Sequence, residues 1–569
     1  MKPWQLGNTS VRSATRLRDG LVVLSESGRE GMLRGREGDE AWRAILGEAG
    51  VVTLGADESN SVGRKWRAAM GRLGFIYEDL GKIQSQVGPL DFITPNGHRL
   101  ISAESAAAQQ ECYLRAISGM WLDVSTPHHK IGGTFSPLRH VLRVMKTVEL
   151  LTQSSGISAV EFELFVQTTA DETEPGVTAQ SILAHRSGRG NAVNKRGFDN
   201  AALQLVALEQ GSVHESTYRD YMDMNLRYLK STGLFRAYGR GIMFSDRKSV
   251  VIDGLMTSLE PPASPVAFWT QLTEGAILPT DNQEEAIAAF ESVSVELSRR
   301  GIAEDLQVDH ESVADLRVAR FELEERLSLD DEEQFSLQQR LDWKEIARFM
   351  DLVPVRRSRA ELEDEIRVPS GEAPAYFEWT IWRAFLAINS LRNKPNEARR
   401  FLVDQDMRPL GCAPGGGPDL IFEFDDFTLI VEVTLTTSVR QEAAEGVPVR
   451  QHVHQETVRR PGQRVYGLFL APTLVPSTLE TFRVGIYFAP ELEGLSAPVS
   501  IVPVKLKTFH DLFIAMFESG NSSPMVLIRI LKKCLEVAPN IKNPLAWERE
   551  IDGLFSQSAD ELLQGSAQE

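Results

Sequence analysis

The chain has 569 residues, of which 42% are hydrophobic and 25% are charged, as expected of a globular protein with more than one core. It has no apolar run near the roughly 18 residues that span a bilayer, and its first residues lack the apolar stretch of a signal peptide. Three widely spaced cysteines argue against a disulfide framework and against a cysteine-rich zinc site. We therefore expect a cytoplasmic protein without a membrane partner.

The net charge of −18 is unevenly distributed along the chain. Residues 1–280 carry 30 basic and 30 acidic side chains, whereas residues 281–370 carry 12 basic and 24 acidic ones. Because the excess negative charge is concentrated in one segment, the net charge does not exclude a nucleic-acid partner for the rest of the chain.

Residues 1–280 read as a succession of helices, turns and short strands. Apolar residues repeat at helical spacing over 62–73, and residues 92–101 then predict a β-hairpin that turns at Asn96 and Gly97. A helix followed by a two-stranded wing is the winged-helix arrangement. Something similar recurs twice: a helix that starts at Ser136-Pro137 and runs to Leu151 is followed by a second helix at 158–166, and a helix over 221–229 is followed by a strand–Gly–strand wing over 235–245. We expect a mainly α-helical region of two or three winged-helix modules.

The remaining residues predict two further parts. Residues 281–370 favour an acidic helical linker, with an acidic partner-binding surface as the alternative. Residues 371–569 predict an α/β domain. Its expected elements are a helix at 377–391, strands at 420–424, 427–434, 464–471 and 500–504, and helices near 438–446, 509–517 and 525–535.

The first two strands of this domain carry a pair of acids. Asp419 begins one strand and Glu432 lies near the end of the next, so a hairpin brings the two carboxylates together. Two converging carboxylates do not both ionise cheaply without a cation, and Mg²⁺ prefers such oxygen ligands. The backbone carbonyl of Val433 is a further possible ligand. Since acids flank many turns, an ordinary structural role for the pair remains open at this point.

Other polar residues lie near this pair in the sequence. Glu378 falls in a strongly apolar helix, where an unpaired carboxylate is costly and a hydrated metal is one possible partner. A salt-bridged surface position is the alternative. Glu445 shares a predicted helix face with Gln441. His452 and His454 alternate as on a strand, and proton transfer, phosphate contact and an ordinary polar role are all open for them.

A set of motifs over 375–475 resembles a known family. The motifs are Phe377-Glu378-Trp379, Gly417-Pro418-Asp419, Glu432-Val433-Thr434, the group Gln441, Glu445, Pro448-Val449-Arg450 and His452, and Tyr466-Gly467-Leu468-Phe469-Leu470-Ala471-Pro472. In order and spacing they resemble the cleavage domain of the AlwI-type family of Type IIS restriction and nicking endonucleases, within the PD-(D/E)XK superfamily. Residues 227–235 resemble part of that family's recognition region.

The resemblance implies a nuclease domain over 371–569 with a central mixed sheet. It implies that Asp419 and Glu432 bind Mg²⁺ and that Glu378 and Glu445 complete an acidic cluster. The lysine usual in the superfamily falls at Thr434, which carries no charge. Orientation of the attacking water would then fall to a second metal, to His452 or to Arg450, unless that charge is not needed.

The resemblance also implies a division between reading and cutting DNA. Residues 1–280 would bind a short duplex sequence through basic side chains. The candidates are Arg12, Arg16, Arg64, Lys65, Arg67, Arg139 and Arg143. Cleavage would follow at a fixed distance outside the site, and a cognate DNA methyltransferase would protect the host.

One nuclease centre cuts one strand. Double-strand cleavage would therefore require a transient homodimer or a separate small nuclease subunit, and without either the chain would be a strand-specific nicking large subunit. Two competing functions remain. One is a non-catalytic winged-helix DNA-binding regulator, and the other is a nuclease that senses modified DNA.

Overall fold

The computed structural model describes residues 3–52, 61–123, 130–169, 173–209, 214–258, 260–355, 366, 368, 372–486 and 499–566. The chain divides into two compact units, Met1–Leu327 and Ser328–Glu569. Part of the predicted linker, including most of its boundary at 367–371, lies outside the described residues. The functional division into 1–280, 281–370 and 371–569 stays a prediction.

The first unit is mainly helical. Its helices are α1 Arg16–Ser27, α2 Gly35–Glu48, α3 Ser61–Arg72, α4 Gln84–Val87, α5 Pro95–Ser102, α6 Ala106–Ser118, α7 Pro137–Thr152, α8 Ala159–Glu161, α9 Pro175–Asn191, α10 Lys195–Glu209, α11 Glu215–Ser231, α12 Ser249–Ser258, α13 Pro265–Glu274, α14 Gln283–Arg299 and the start of α15 Val313–Gln338. A π-helical turn, Phe162–Val166, follows α8. Two antiparallel pairs complete it: β1 Leu122–Asp123 with β2 Lys130–Ile131, and β3 Phe235–Tyr238 with β4 Gly241–Phe244.

Several elements of this unit match the sequence. Helix α3 covers the predicted helical repeat and buries Trp66 and Met70. Helix α7 begins as predicted, with Ser136 as the N-cap and a proline in the first turn. The hairpin β3–β4 is also confirmed. The assignment of these helices and strands to winged-helix modules stays a prediction.

The β-hairpin predicted at Asn96 and Gly97 is wrong, because these residues lie in helix α5. The Thr94 hydroxyl accepts a hydrogen bond from the Gly97 amide at 3.1 Å, and Pro95 occupies the first turn. An N-cap threonine followed by proline is a strong helix start, and it prevails here over the Asn-Gly turn signal.

The second unit contains the mixed sheet. Its helices are the end of α15, α16 Trp343–Leu352, α17 Ala373–Ile388, α18 Val447–Arg459, α19 Pro476–Gly485, α20 Leu506–Glu518, α21 Pro524–Val537 and α22 Pro544–Ser566, with a π-helical turn at Glu442–Gly446. Its strands are β5 Leu420–Glu423, β6 Phe427–Val433, β7 Arg464–Ala471 and β8 Ile501–Lys505, in the order β5-β6-β7-β8. Strand β5 is antiparallel to β6, while β6, β7 and β8 are parallel. All four predicted strands are confirmed.

The sheet core explains why these strands form. Strand β6 buries six of its seven residues, as a central strand covered on both faces does. Helix α17 is buried along its whole length from Ala375 to Ile388, and Phe385 stacks on Phe422 of β5 with ring centroids 4.3 Å apart. Hairpin β5–β6 and helix α17 thus form one rigid support. Within the described residues, every helix is too short or too polar to serve as a transmembrane span.

Candidate active site

The β5–β6 hairpin places Asp419 beside Glu432. Pairing of Leu420 with Val431 sets the register, and the two acids lie one step beyond it. The Val433 amide donates to Oδ2 of Asp419 at 2.9 Å, and the Asp419 amide makes a longer contact with Oε2 of Glu432 at 3.4 Å. The sheet therefore fixes both carboxyl groups at the same end of the hairpin, as the sequence predicts.

Glu378 joins this pair from helix α17. Its side chain is buried, and its Oε2 accepts a hydrogen bond from the Ala413 amide at 2.6 Å. Asp419 lies close enough to raise the pKa of Glu378 further, after the larger effect of burial. The helix thus delivers a third carboxyl group to the site.

Glu445 and Thr434 come from the part of the chain that follows β6. Thr434 follows the end of β6, where its amide donates to the Leu470 carbonyl of β7 at 3.0 Å. Its side chain is hydrogen-bonded to Glu445, which lies in the π-helical turn after the strand. Buried Gln441 holds this turn in place by donating to the Thr436 and Thr473 carbonyls at 2.7 and 2.9 Å.

The four carboxyl groups resist ionisation together. Burial raises the pKa of Glu432 to about 8, and burial and then Glu432 raise the pKa of Asp419 well above its usual range. Burial and then Asp419 do the same for the pKa of Glu378, and burial raises the pKa of Glu445. Such a cluster accumulates negative charge only if a cation compensates it.

The grouping of carboxyl groups that resist ionisation is the observation that fits a divalent cation. Among the described residues, no three His, Cys, Asp or Glu side chains are close enough together to form a ready metal site. Mg²⁺ usually keeps several waters and takes only one or two carboxylates. Asp419 and Glu432, held side by side, can supply that number.

His452 contacts the pair from helix α18. Its Nδ1 lies 2.7 Å from Oε1 of Glu432, and burial followed by the nearby Arg400 lowers the pKa of its imidazole. The prediction that His452 and His454 lie on a strand is wrong, because both are helical. Two residues along a helix are about 200° apart, so the two rings point in different directions. Arg450, on the same helix, donates from Nε to the Gly446 carbonyl at 3.3 Å.

Arg400 is a member of this group that the sequence did not reveal. Its guanidinium donates to the Pro418 and Gly415 carbonyls, both at 3.3 Å. Its positive charge partly offsets the burial that raises the pKa of Glu378, and it adds to the burial that lowers the pKa of His452. Arg400 lies near the site because the loop before β5 folds back onto its guanidinium. No spacing pattern in the sequence predicts that contact.

The basic residues proposed for DNA contact lie in the first unit and are placed as follows. Arg12 pairs with Asp220 and Asp223 at 3.0 and 3.2 Å, and Arg67 pairs with Asp39 at 3.5 Å. Arg16 lies over the Trp66 ring and Arg139 over the Trp121 ring, at 5.7 and 5.0 Å from the centroids. Arg64 is exposed, and Lys65 and Arg143 are partly exposed. DNA contact by these seven residues stays a prediction.

Comparison with known proteins places the chain in a family. A family model described as AlwI restriction endonuclease matches residues 71–512. Nine chains of solved structures match, among them the small subunit (R.BspD6I2) of the heterodimeric restriction endonuclease R.BspD6I. That subunit is 23% identical, the match covers 39% of this chain and 97% of the subunit, and the TM-score is 0.27. No curated protein matches significantly. Since the family model spans most of the chain, the protein belongs to the AlwI restriction endonuclease family and is a site-specific deoxyribonuclease.

Proposed function

We propose that the chain is a Type IIS restriction endonuclease of the PD-(D/E)XK superfamily. It would read a short duplex sequence with its first unit and hydrolyse phosphodiester bonds outside that sequence with its second, using Mg²⁺. The observation that carries the cleavage part is the buried cluster of Glu378, Asp419, Glu432 and Glu445 at the end of the β5–β6 hairpin. Its carboxyl groups can all ionise only beside a cation, which is what a nuclease metal site supplies.

Asp419 and Glu432 are the proposed metal ligands, with the Val433 carbonyl beside them. Mg²⁺ bound there would activate a water and neutralise charge on the leaving oxygen. The hydrogen bond from the Val433 amide keeps Asp419 oriented, and the contact with His452 does the same for Glu432. Both carboxylates are therefore positioned before DNA arrives, and little reorganisation is needed during the reaction.

Glu445 and Glu378 are the other two carboxyl groups of the cluster, and each raises the pKa of Glu432 further after burial. Glu445 is held by Thr434, and the role we assign to it is to accept a proton from the attacking water. Glu378, anchored by the Ala413 amide, would add negative charge beside Asp419 once a bound cation allows it to ionise. Thr434 takes no part in charge neutralisation, because a hydroxyl is uncharged at neutral pH.

The first unit is the proposed reader of DNA sequence. Arg12, Arg16, Arg64, Lys65, Arg67, Arg139 and Arg143 are the candidates for contacts to phosphates and base edges. Phosphate contacts would set the register and base-edge contacts the sequence. A cognate methyltransferase acting on the same sequence would protect the host DNA from cleavage.

Second-strand cleavage needs another nuclease centre. One centre hydrolyses one phosphodiester bond at a time, so we propose a transient homodimer or a small nuclease subunit for a double-strand cut. In the absence of either, the chain would nick one strand.

The test of catalysis compares two acids on the same hairpin. Asp419→Asn removes a proposed metal ligand, whereas Asp426→Asn changes an exposed acid at the turn. Losing a metal ligand costs several kcal/mol of transition-state stabilisation, so Asp419→Asn is expected to slow Mg²⁺-dependent plasmid cleavage by about a thousandfold or more. Asp426→Asn is expected to cleave like the wild type. Equal cleavage by Asp419→Asn and the wild type would remove the metal-site assignment.

A further inference from the structure

We propose that Arg400 is a catalytic residue that contacts the scissile phosphate and supplies the positive charge that Thr434 lacks. This inference rests on the proposed function. It assigns a role to a side chain that neither the hairpin nor its flanking helices contribute.

Arg400 lies against the loop that leads to Asp419. Its Nη1 and Nη2 atoms donate to the Pro418 and Gly415 carbonyls, in the loop that ends at Asp419. A Cβ atom added to Gly417 would lie only 2.6 Å from Nη1. The guanidinium therefore packs directly against the backbone beside Asp419, and the glycine leaves the space for it.

The guanidinium of Arg400 forms no ion pair with a carboxylate of the described residues. Among the described residues, the hydrogen bonds of Arg400 go to these two carbonyls alone, and none of its nitrogens lies within 4.0 Å of a carboxylate oxygen. The adjacent Arg399 differs, because it donates twice to Glu332 at 2.6 Å. Arg399 is thus used for structure, whereas Arg400 keeps its charge and most of its five N–H donors available.

The loop that holds Arg400 leads directly to the acid pair. Pro418, whose carbonyl accepts a hydrogen bond from Nη1 of Arg400, is the residue before Asp419. A phosphate approaching Asp419 and Glu432 would therefore come near Arg400.

The chemistry suits an arginine at this position. The phosphate gains negative charge as the water attacks, and a pre-positioned guanidinium stabilises that charge with two parallel hydrogen bonds. Arginine stays protonated at all relevant pH values, so it acts by charge and does not accept the proton of the water. Proton transfer is left to the carboxylates and to His452.

The test uses single-turnover cleavage of a duplex oligonucleotide that carries the site mapped by run-off sequencing with the wild type. Arg400→Gln is expected to slow cleavage by about 10²-fold or more, the usual effect of losing one charged transition-state donor. Arg400→Lys is expected to recover only part of the rate, because a lysine keeps the charge but not the fork. Arg392→Gln, an exposed arginine that pairs with Asp425 at 3.6 Å, is the matched control and is expected to retain the wild-type rate.

A second readout separates phosphate contact from support of the loop. Sulfur replaces each non-bridging oxygen of the scissile phosphate in turn. If Arg400 contacts one of these oxygens, sulfur at that oxygen slows the wild type but has little further effect on Arg400→Gln. If Arg400→Gln proves unstable in thermal unfolding, the same comparison is made with Arg400→Lys.

The outcomes separate this role from the proposed function. No cleavage by the wild type would overturn the proposed function itself. Wild-type cleavage together with an equally fast Arg400→Gln would overturn only the role of Arg400. Slower cleavage with unchanged sulfur effects in both Arg400 variants would also overturn it, since that result assigns Arg400 to support of the loop.

Discussion

Replacing Glu432 by glutamine should make the metal-free protein more stable at alkaline pH while abolishing cleavage. Glutamine has the same shape as glutamate and can still accept from the Asp419 amide and donate to His452 Nδ1, the contacts seen at 3.4 and 2.7 Å. What it removes is a buried negative charge that faces Asp419, Glu378 and Glu445. The hydrogen bonds are thus retained while the repulsion is lost.

The size of the effect follows from the pKa of Glu432, which burial raises from 4.5 to about 8. At about 1.36 kcal/mol per pKa unit, this rise in the pKa lowers the free energy of unfolding by about 5 kcal/mol at pH values above 8. Because Glu432 and Asp419 are coupled, the proton is shared between the two groups. We therefore expect Glu432→Gln to raise the free energy of unfolding by about 2–5 kcal/mol. Between pH 4.5 and about 8 the folded protein holds a proton that the unfolded chain has released. Wild-type stability should therefore fall as pH rises through this range.

Urea unfolding of the wild type and Glu432→Gln in EDTA at pH 5 and pH 8.5 measures this pH dependence of stability directly. At pH 5 the free energies of unfolding of the wild type and Glu432→Gln should differ by less than about 1 kcal/mol, because Glu432 is protonated in the folded wild type. At pH 8.5 the variant should be the more stable one, and added Mg²⁺ should stabilise the wild type but not the variant. Asp426→Asn serves as the control, with wild-type behaviour at both pH values. Equal stability of the wild type and Glu432→Gln at pH 8.5 in EDTA would refute the idea that ionising these buried acids without a cation destabilises the fold.

Two further predictions concern the packing around Arg400 and the core of the first unit. Gly417→Ala places a methyl group 2.6 Å from Nη1 of Arg400, so it should displace the guanidinium and slow single-turnover cleavage by about tenfold or more. Gly415→Ala is the control, because its added Cβ meets nothing within 4 Å and cleavage should stay at the wild-type rate. Buried Glu111 pairs with Arg115 at 2.8 Å, and although burial opposes its ionisation, Arg320 and Arg115 hold its pKa below 4.5. Glu111→Gln should therefore cost about 3–5 kcal/mol in urea unfolding at pH 7, and wild type and variant should converge as pH falls below 4.5. If the wild type and Glu111→Gln differed in their free energy of unfolding as much at pH 3 as at pH 7, the ion pair would not be the source of the difference.

The sheet of the second unit was predictable because its strands carry strong and separate signals. Strand β6 is a run of apolar and β-branched residues, and Asp425 and Asp426 mark the turn before it. Once that hairpin was assigned, the meeting of Asp419 with Glu432 followed from the antiparallel register. The acid pair was thus a consequence of local sequence.

The two errors came from short local patterns that a stronger helix signal outweighed. Asn96-Gly97 is a hairpin signal only when strands flank it, and here Thr94 caps a helix that starts at Pro95. The alternation of His452 and His454 resembled a strand. Val449 and Val453 are four residues apart and both buried, which is the helical spacing that prevailed.

Arg400 and the partners of the basic residues depend on contacts between distant segments. The Gly415–Pro418 loop folds onto Arg400 from 15 or more residues away, and Arg12 meets Asp220 across 208 residues. Neither contact has a periodicity or a motif. Local sequence reasoning therefore found the carboxylates of the site but not the cation beside them.

The central claim is that this chain reads one sequence and cuts at a fixed distance from it with the Asp419–Glu432 site. The most direct measurement is incubation of the purified protein with a plasmid of known sequence and Mg²⁺, followed by run-off sequencing of both strands. The account predicts breaks at one constant offset from a short recurrent motif, on one strand or on both, and none with Asp419→Asn. Breaks scattered without relation to a motif, or an intact plasmid across a range of metal and salt concentrations, would contradict it.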